Sequence, residues 1–172
     1  MIENRSSFPL VIMDGCLYAI GGYNSQDKHL RSVERYDPVM KKWYLVASMN
    51  EERSHHSAVV DGNTIYVVGG HNRSGDLSTA ERYVLGTDKW ESISSMSKAR
   101  WMFGLVVAGG YLYAIGGSSD SIWLNSVERY DFESGRWTLN KPTLFRHEGV
   151  ACTFALNNES VRFVQTSNNT LS

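Results

Sequence analysis

Apolar residues fall in short runs separated by polar turns, not in long periodic stretches. Residues 17–20 (Leu-Tyr-Ala-Ile), 65–68 (Ile-Tyr-Val-Val) and 112–115 (Leu-Tyr-Ala-Ile) are each closed by a glycine pair: Gly21-Gly22, Gly69-Gly70 and Gly116-Gly117. Continuous runs of this length, bounded by turn residues, predict strands covered on both faces. No segment keeps a helical apolar period between capping residues, so no helix is predicted and the chain is expected to be all-β. In the middle of the chain the strands are expected at 56–60, 64–69, 79–83 and 90–93. Asp61-Gly62-Asn63 supplies the first hairpin turn, and Gly86-Thr87-Asp88 the turn before the last strand.

This four-strand unit is repeated. Glu34-Arg35-Tyr36, Glu81-Arg82-Tyr83 and Glu128-Arg129-Tyr130 follow the three glycine pairs, and Trp43, Trp90 and Trp137 follow those at intervals of 47 residues. Arg5, Arg53 and Arg100 each stand 16 residues before the first glycine of a pair. Four strands in a period of about 47 residues is the spacing of a β-propeller blade. The repeats are expected at 1–49, 50–96 and 97–143. A degraded half repeat follows over 144–165, with strands at 149–154 and 161–165, and 166–172 is a polar tail. About three and a half blades are therefore expected, an incomplete propeller. Met1, Met49 and Met96 each lie four residues before a repeat arginine. The first methionine thus occupies the repeat's own slot, and the chain is expected to be a piece of a longer protein, with unclosed edges that favour self-association.

Composition narrows the functional classes. Among 172 residues, 17 Lys and Arg face 18 Asp and Glu, a formal net charge of −1. That balance removes the electrostatic case for a nucleic-acid or polybasic membrane partner. Apolar runs such as 8–13 are far short of the ~20 residues that span a bilayer. Two cysteines, Cys16 and Cys152, make no disulfide framework, and a cytoplasmic protein is expected. His55 and His56 are neighbours and point to opposite faces of a strand, while His29, His71 and His147 sit in separate segments without ligand spacing. No metal or other cofactor is expected. No acid–base pair stands out, and the glycine pairs precede neither a helix nor a phosphate-binding lysine. The chain is read as non-enzymatic.

The pattern of repeat arginine, Leu-Tyr-Ala-Ile-Gly-Gly, Ser-Val-Glu-Arg-Tyr-Asp and tryptophan resembles the kelch repeat. Residues 32–38 and 125–131 are similar to the animal kelch-like proteins, which carry BTB and BACK domains before a kelch propeller. The resemblance implies a substrate-recognition module of a cullin-RING ubiquitin ligase, gripping a short segment of a protein substrate. The cullin would be reached only through BTB and BACK domains that this sequence does not contain. Kelch propellers that bind actin or other cytoskeletal proteins are the alternative. By motif position, the resemblance places Tyr23, His71 and Ser118, just after the glycine pairs, toward the partner. It places there also Ser6 and Ser7, Ser54 and His55, and Trp101 and Met102, one and two residues after the repeat arginines. An up-and-down meander brings the inter-blade loops and the loops 23–31, 71–78 and 118–125 to one end. On those loops Trp101 and Trp123 are the tryptophans outside the repeat, and such aromatics are typical interface anchors.

Overall fold

A computed structural model of the chain describes residues 1–26 and 28–144. Asp27, most of the half repeat expected over 144–165, and the tail 166–172 lie outside the described residues. The first blade is the antiparallel sheet β1 (Leu10–Met13), β2 (Cys16–Asn24), β3 (Lys28–Asp37) and β4 (Lys42–Val46). The second contains β5 (Ser57–Asp61), β6 (Thr64–Val68), the small hairpin β7 (His71–Asn72) and β8 (Gly75–Asp76), then β9 (Ala80–Val84) and β10 (Trp90–Ile93). The third contains β11 (Gly104–Ala108), β12 (Tyr111–Ile115), the hairpin β13 (Ser118–Ser119) and β14 (Ile122–Trp123), then β15 (Val127–Asp131) and β16 (Arg136–Asn140). Each blade is a four-stranded meander, so the chain is an all-β partial propeller. The strands expected in the middle repeat are present to within a residue or two at each end. In the second blade the glycine pair, with φ of 61° and 99°, falls outside the ladder, whereas Gly21 and Gly22, with φ of 58° and 102°, lie inside β2.

Alternation along each inner strand sends one set of side chains to the blade before and the other to the blade after. Tyr18, Ile20 and Val33 of the first blade meet Ile65, Val67, Tyr83 and Trp90 of the second in one dry cluster. One register step on, Tyr66 and Val68 of the second blade meet Leu105, Leu112, Ala114 and Tyr130 of the third. The repeat tryptophans tie the same interfaces. The indole N–H of Trp90 donates to the Ala47 carbonyl at 2.9 Å, and that of Trp137 to the Ser94 carbonyl at 2.8 Å. On the first blade's outer face, Leu10, Ile12 and Leu45 share a side with Ala19 and Glu34 and are exposed.

The repeat arginine and glutamate are buried framework. Arg53 donates to the Gly69 carbonyl at 2.7 Å, the Thr79 carbonyl at 3.3 Å and Glu81 Oε1 at 2.9 Å. Arg5 makes the matching set with Gly21, Ser32 and Glu34, and Arg100 with Gly116, Ser126 and Glu128. Each glutamate also accepts two backbone N–H groups from the incoming loop: Ile2 and Glu3, Asn50 and Glu51, Ser97 and Lys98. Burial alone would raise the Glu34 carboxyl, but the N–H groups of Ile2 and Glu3 and the Arg5 guanidinium outweigh it and hold it below the usual range. One ion pair therefore fixes where each inter-blade loop arrives.

Candidate functional site: an aromatic and imidazole row on the loop face

Backbone pairing brings the two kinds of loop together. Beyond the blade sheets, Ser6 bridges Tyr23, Ser54 bridges His71, and Trp101 bridges Ser118. Each bridge joins the residue after a repeat arginine to the residue after a glycine pair. The second glycine makes this approach possible. A Cβ on Gly70 would lie 2.6 Å from the Ser54 carbonyl oxygen, and one on Gly117 2.7 Å from that of Trp101. The inter-blade loops and the second-to-third-strand loops therefore share one end of the molecule.

The next residue turns a corner. Ser7, His55 and Met102 are equivalent, and all three adopt left-handed backbone with φ near 50°. Their peptide groups are linked across blades. His55 N–H donates to the Ser7 carbonyl at 2.8 Å, and Met102 N–H to the His55 carbonyl at 3.0 Å. Beneath these corners the inner strands border an open concavity of about 380 Å³, lined by Phe8, His56, Ser57, Phe103 and Leu105 among others. His56 occupies the repeat position that Phe8 and Phe103 fill in the other blades, and it is buried. Burial and then the Arg53 charge press its imidazole well below the ordinary histidine range, so it is neutral.

Across the loop face runs a row of rings. Tyr23 meets His29 edge-on at 5.0 Å between centroids, His29 meets His71 at 5.7 Å, His71 meets Trp101 at 6.4 Å, and Trp101 meets Trp123 at 6.5 Å. His55 stands edge-on to Trp101 at 5.6 Å. The row crosses all three blades. It is bound from below by the Ser54 hydroxyl, which lies 3.1 Å from Nδ1 of both His29 and His55. Burial lowers the pKa of both imidazoles, and their proximity to His71 lowers them further. His71 Nδ1 lies 2.8 Å from Asp76 Oδ1, and the other carboxylate oxygen accepts the Asp120 N–H at 2.8 Å. A carboxylate only accepts, so Nδ1 of His71 carries a proton, and the ring in its neutral form presents Nε2 as an acceptor.

Of the ten residues singled out from the sequence, Tyr23, His55, His71, Trp101 and Trp123 come together in this row, with buried Ser54 beneath it and exposed Ser6 paired to Tyr23. Ser7 and Met102 are exposed at the flanking corners. Ser118 is 1% exposed and offers no surface to a partner; its backbone bridge holds Trp101 in place. His29 and Asp76 belong to the constellation although their motif positions do not single them out. His29 lies within the loop 23–31, but its place depends on the first blade's hairpin. There β2 and β3 continue pairing past a register shift between Ile20 and Gly22, which sets Tyr23 opposite His29. Among the described residues no group of three or more His, Cys, Asp or Glu side chains is arranged to hold a metal. Cys16 is a free, half-buried thiol packed against the first inter-blade cluster, and Cys152 lies outside the described residues.

Comparison with known proteins agrees with this architecture. Kelch-like protein 23 of Homo sapiens is 40% identical over 60 residues, 34% of this chain and 11% of that protein. Kelch-like protein 42 of Mus musculus is 31% identical over 58 residues, 34% of this chain and 12% of that protein. The aligned stretch is thus a small part of either relative's length. The solved structure titled "Structure of YjhT" superposes with a TM-score of 0.72 at 19% identity, covering 86% of this chain and 54% of that one, which establishes a shared fold. The model of the KLHDC2/KLHL20/DRC7 Kelch-repeats domain matches residues 2–159, and with its three Arg–Glu-pinned blades the chain belongs to that kelch-repeat family.

Proposed function

We propose that the loop face grips a short extended segment of a protein partner. In this reading the chain is a non-catalytic recognition module, acting in the cytoplasm as the substrate-binding part of a kelch-like ubiquitin-ligase adaptor. The observation that carries the reading is the row of partly exposed rings from Tyr23 to Trp123, set on backbone that bridges and buried ion pairs hold rigid. Rings anchored this way give contact area at low entropic cost, and binding residues characteristically sit on loops of a stiff scaffold. Successive ring centroids are 5.0–6.5 Å apart. That is close to the ~6.6 Å between side chains on one side of an extended peptide. Kelch-like proteins 23 and 42 are the relatives whose likeness supports the adaptor role.

Affinity capture followed by cross-linking mass spectrometry tests it. Partners should cross-link at the corners and hairpins around Trp101 and Trp123, and a Trp101→Ala, Trp123→Ala double variant should lose them while keeping its melting temperature within a few degrees. Partners that the double variant retains in full would sink the reading.

A further inference from the structure

Charges of both signs line the loop face. Lys28 and Arg31 are exposed on the first blade's loop, and Arg73, in the turn of the β7–β8 hairpin, exerts its charge on His29. Two acidic residues meet between the second and third blades. Asp76 leaves the β7–β8 hairpin and Asp120 caps the β13–β14 hairpin, and the bond from Asp120 N–H to Asp76 Oδ2 holds the two loops together. Asp120 and Ser121 have φ of 50° and 63°, the two-residue turn that twists with its strands and presents the Asp120 side chain at the tip, exposed.

Aromatic rings and carboxylates meet at this corner. The partly exposed rings of Trp101 and Trp123 stand beside His71, whose Nδ1 faces Asp76, and the exposed Asp120 is tied to that same carboxylate. A flat cation with several N–H donors satisfies this set at once, because it stacks on indole and donates in the same plane. We propose that the corner between the second and third blades seats an arginine side chain of the bound segment, stacked on Trp101 and Trp123 and paired with Asp120. This rests on the peptide-gripping reading above and adds the chemical class of its anchor. A lysine would meet the carboxylate but fill less of the aromatic corner, and an acidic anchor would face Asp76 and Asp120 with like charge.

A random displayed peptide library selected on the full chain separates the outcomes. The proposal expects enriched peptides to carry arginine. In the best of them, replacing that arginine with citrulline, which keeps the shape and removes the charge, should weaken binding about tenfold or more. Asp120→Asn should weaken the arginine peptide similarly and the citrulline peptide hardly at all. Enriched peptides that are acidic or uncharged, or a citrulline analogue that binds equally well, overturn the arginine anchor while leaving peptide recognition standing. Selection that yields no peptide, or peptides indifferent to Trp101→Ala, overturns the recognition reading and this proposal with it.

Discussion

Arg53 and Glu81 form an ion pair at 2.9 Å with both side chains essentially out of solvent, and the same pair recurs in the other two blades. A charge buried in this way is tolerable only while its partner is present. Arg53→Ala should therefore cost about 3–5 kcal/mol of stability, because Glu81 is left buried beside water-free backbone. Arg53→Met combined with Glu81→Leu should cost less than either single truncation. It should not restore the native value, since the Gly69 carbonyl and the N–H groups of Asn50 and Glu51 lose their partners too. Urea denaturation of the two singles and the double checks this; additive losses would contradict it.

Two glycines with positive φ should respond differently to a methyl group. Gly62, in the first hairpin turn of the second blade, has φ of 55°, and a Cβ added there would meet nothing within 4 Å. Gly62→Ala should cost only the left-handed backbone term, about 1–2 kcal/mol. Gly70→Ala adds a collision with the Ser54 carbonyl at 2.6 Å and with the His56 side chain at 2.7 Å. It should lower the melting temperature by at least twice as much and disturb the Ser54–His71 bridge, visible as shifted amide resonances at His71.

Acid should weaken the fold in two windows. His56 is neutral and buried when folded but free to charge near its ordinary pKa of 6.5 when unfolded. The unfolded state thus binds the extra proton, and stability falls as pH drops below about 6.5, with a limiting slope of about 1.4 kcal/mol per pH unit for one proton. His56→Phe, which restores the residue type found at Phe8 and Phe103, should flatten that slope. Glu34 acts lower, because its depressed folded pKa gives stability that is lost as pH falls below the ordinary carboxylate value of 4.5. Denaturation midpoints between pH 7.5 and 4 report both.

His29 and His55 should titrate below an ordinary imidazole. His29 and His55 should both show pKa values below 6.5 by histidine NMR, from burial first and from His71 second. His71→Gln should move both upward. Unchanged titration of both rings would mean that His71 exerts no charge on them.

Much of the blade framework is legible in the 47-residue spacing, because a residue needed to build every blade recurs in every blade. The common end for the two kinds of loop follows as well, since an up-and-down meander leaves no other arrangement. What spacing does not carry is depth. Ser118 and His71 hold equivalent motif positions, yet one is buried and the other half-exposed. His29 is hidden as well. Its approach to Tyr23 and Ser54 depends on the register shift beside Gly22, which the identity of the strand residues does not reveal. The Asp76 clasp joins positions 44 residues apart through a side chain and a backbone N–H, and no repeat motif marks either.

The corners at Ser7, His55 and Met102 are linked through peptide groups, the His55 N–H reaching the Ser7 carbonyl and the Met102 N–H reaching that of His55. A hydroxyl, an imidazole and a thioether already occupy the same backbone shape. The corner backbone therefore carries different side chains without losing the hydrogen bonds that link one corner to the next. If the proposed peptide recognition holds, single corner substitutions would change partner preference while the backbone links between blades persist.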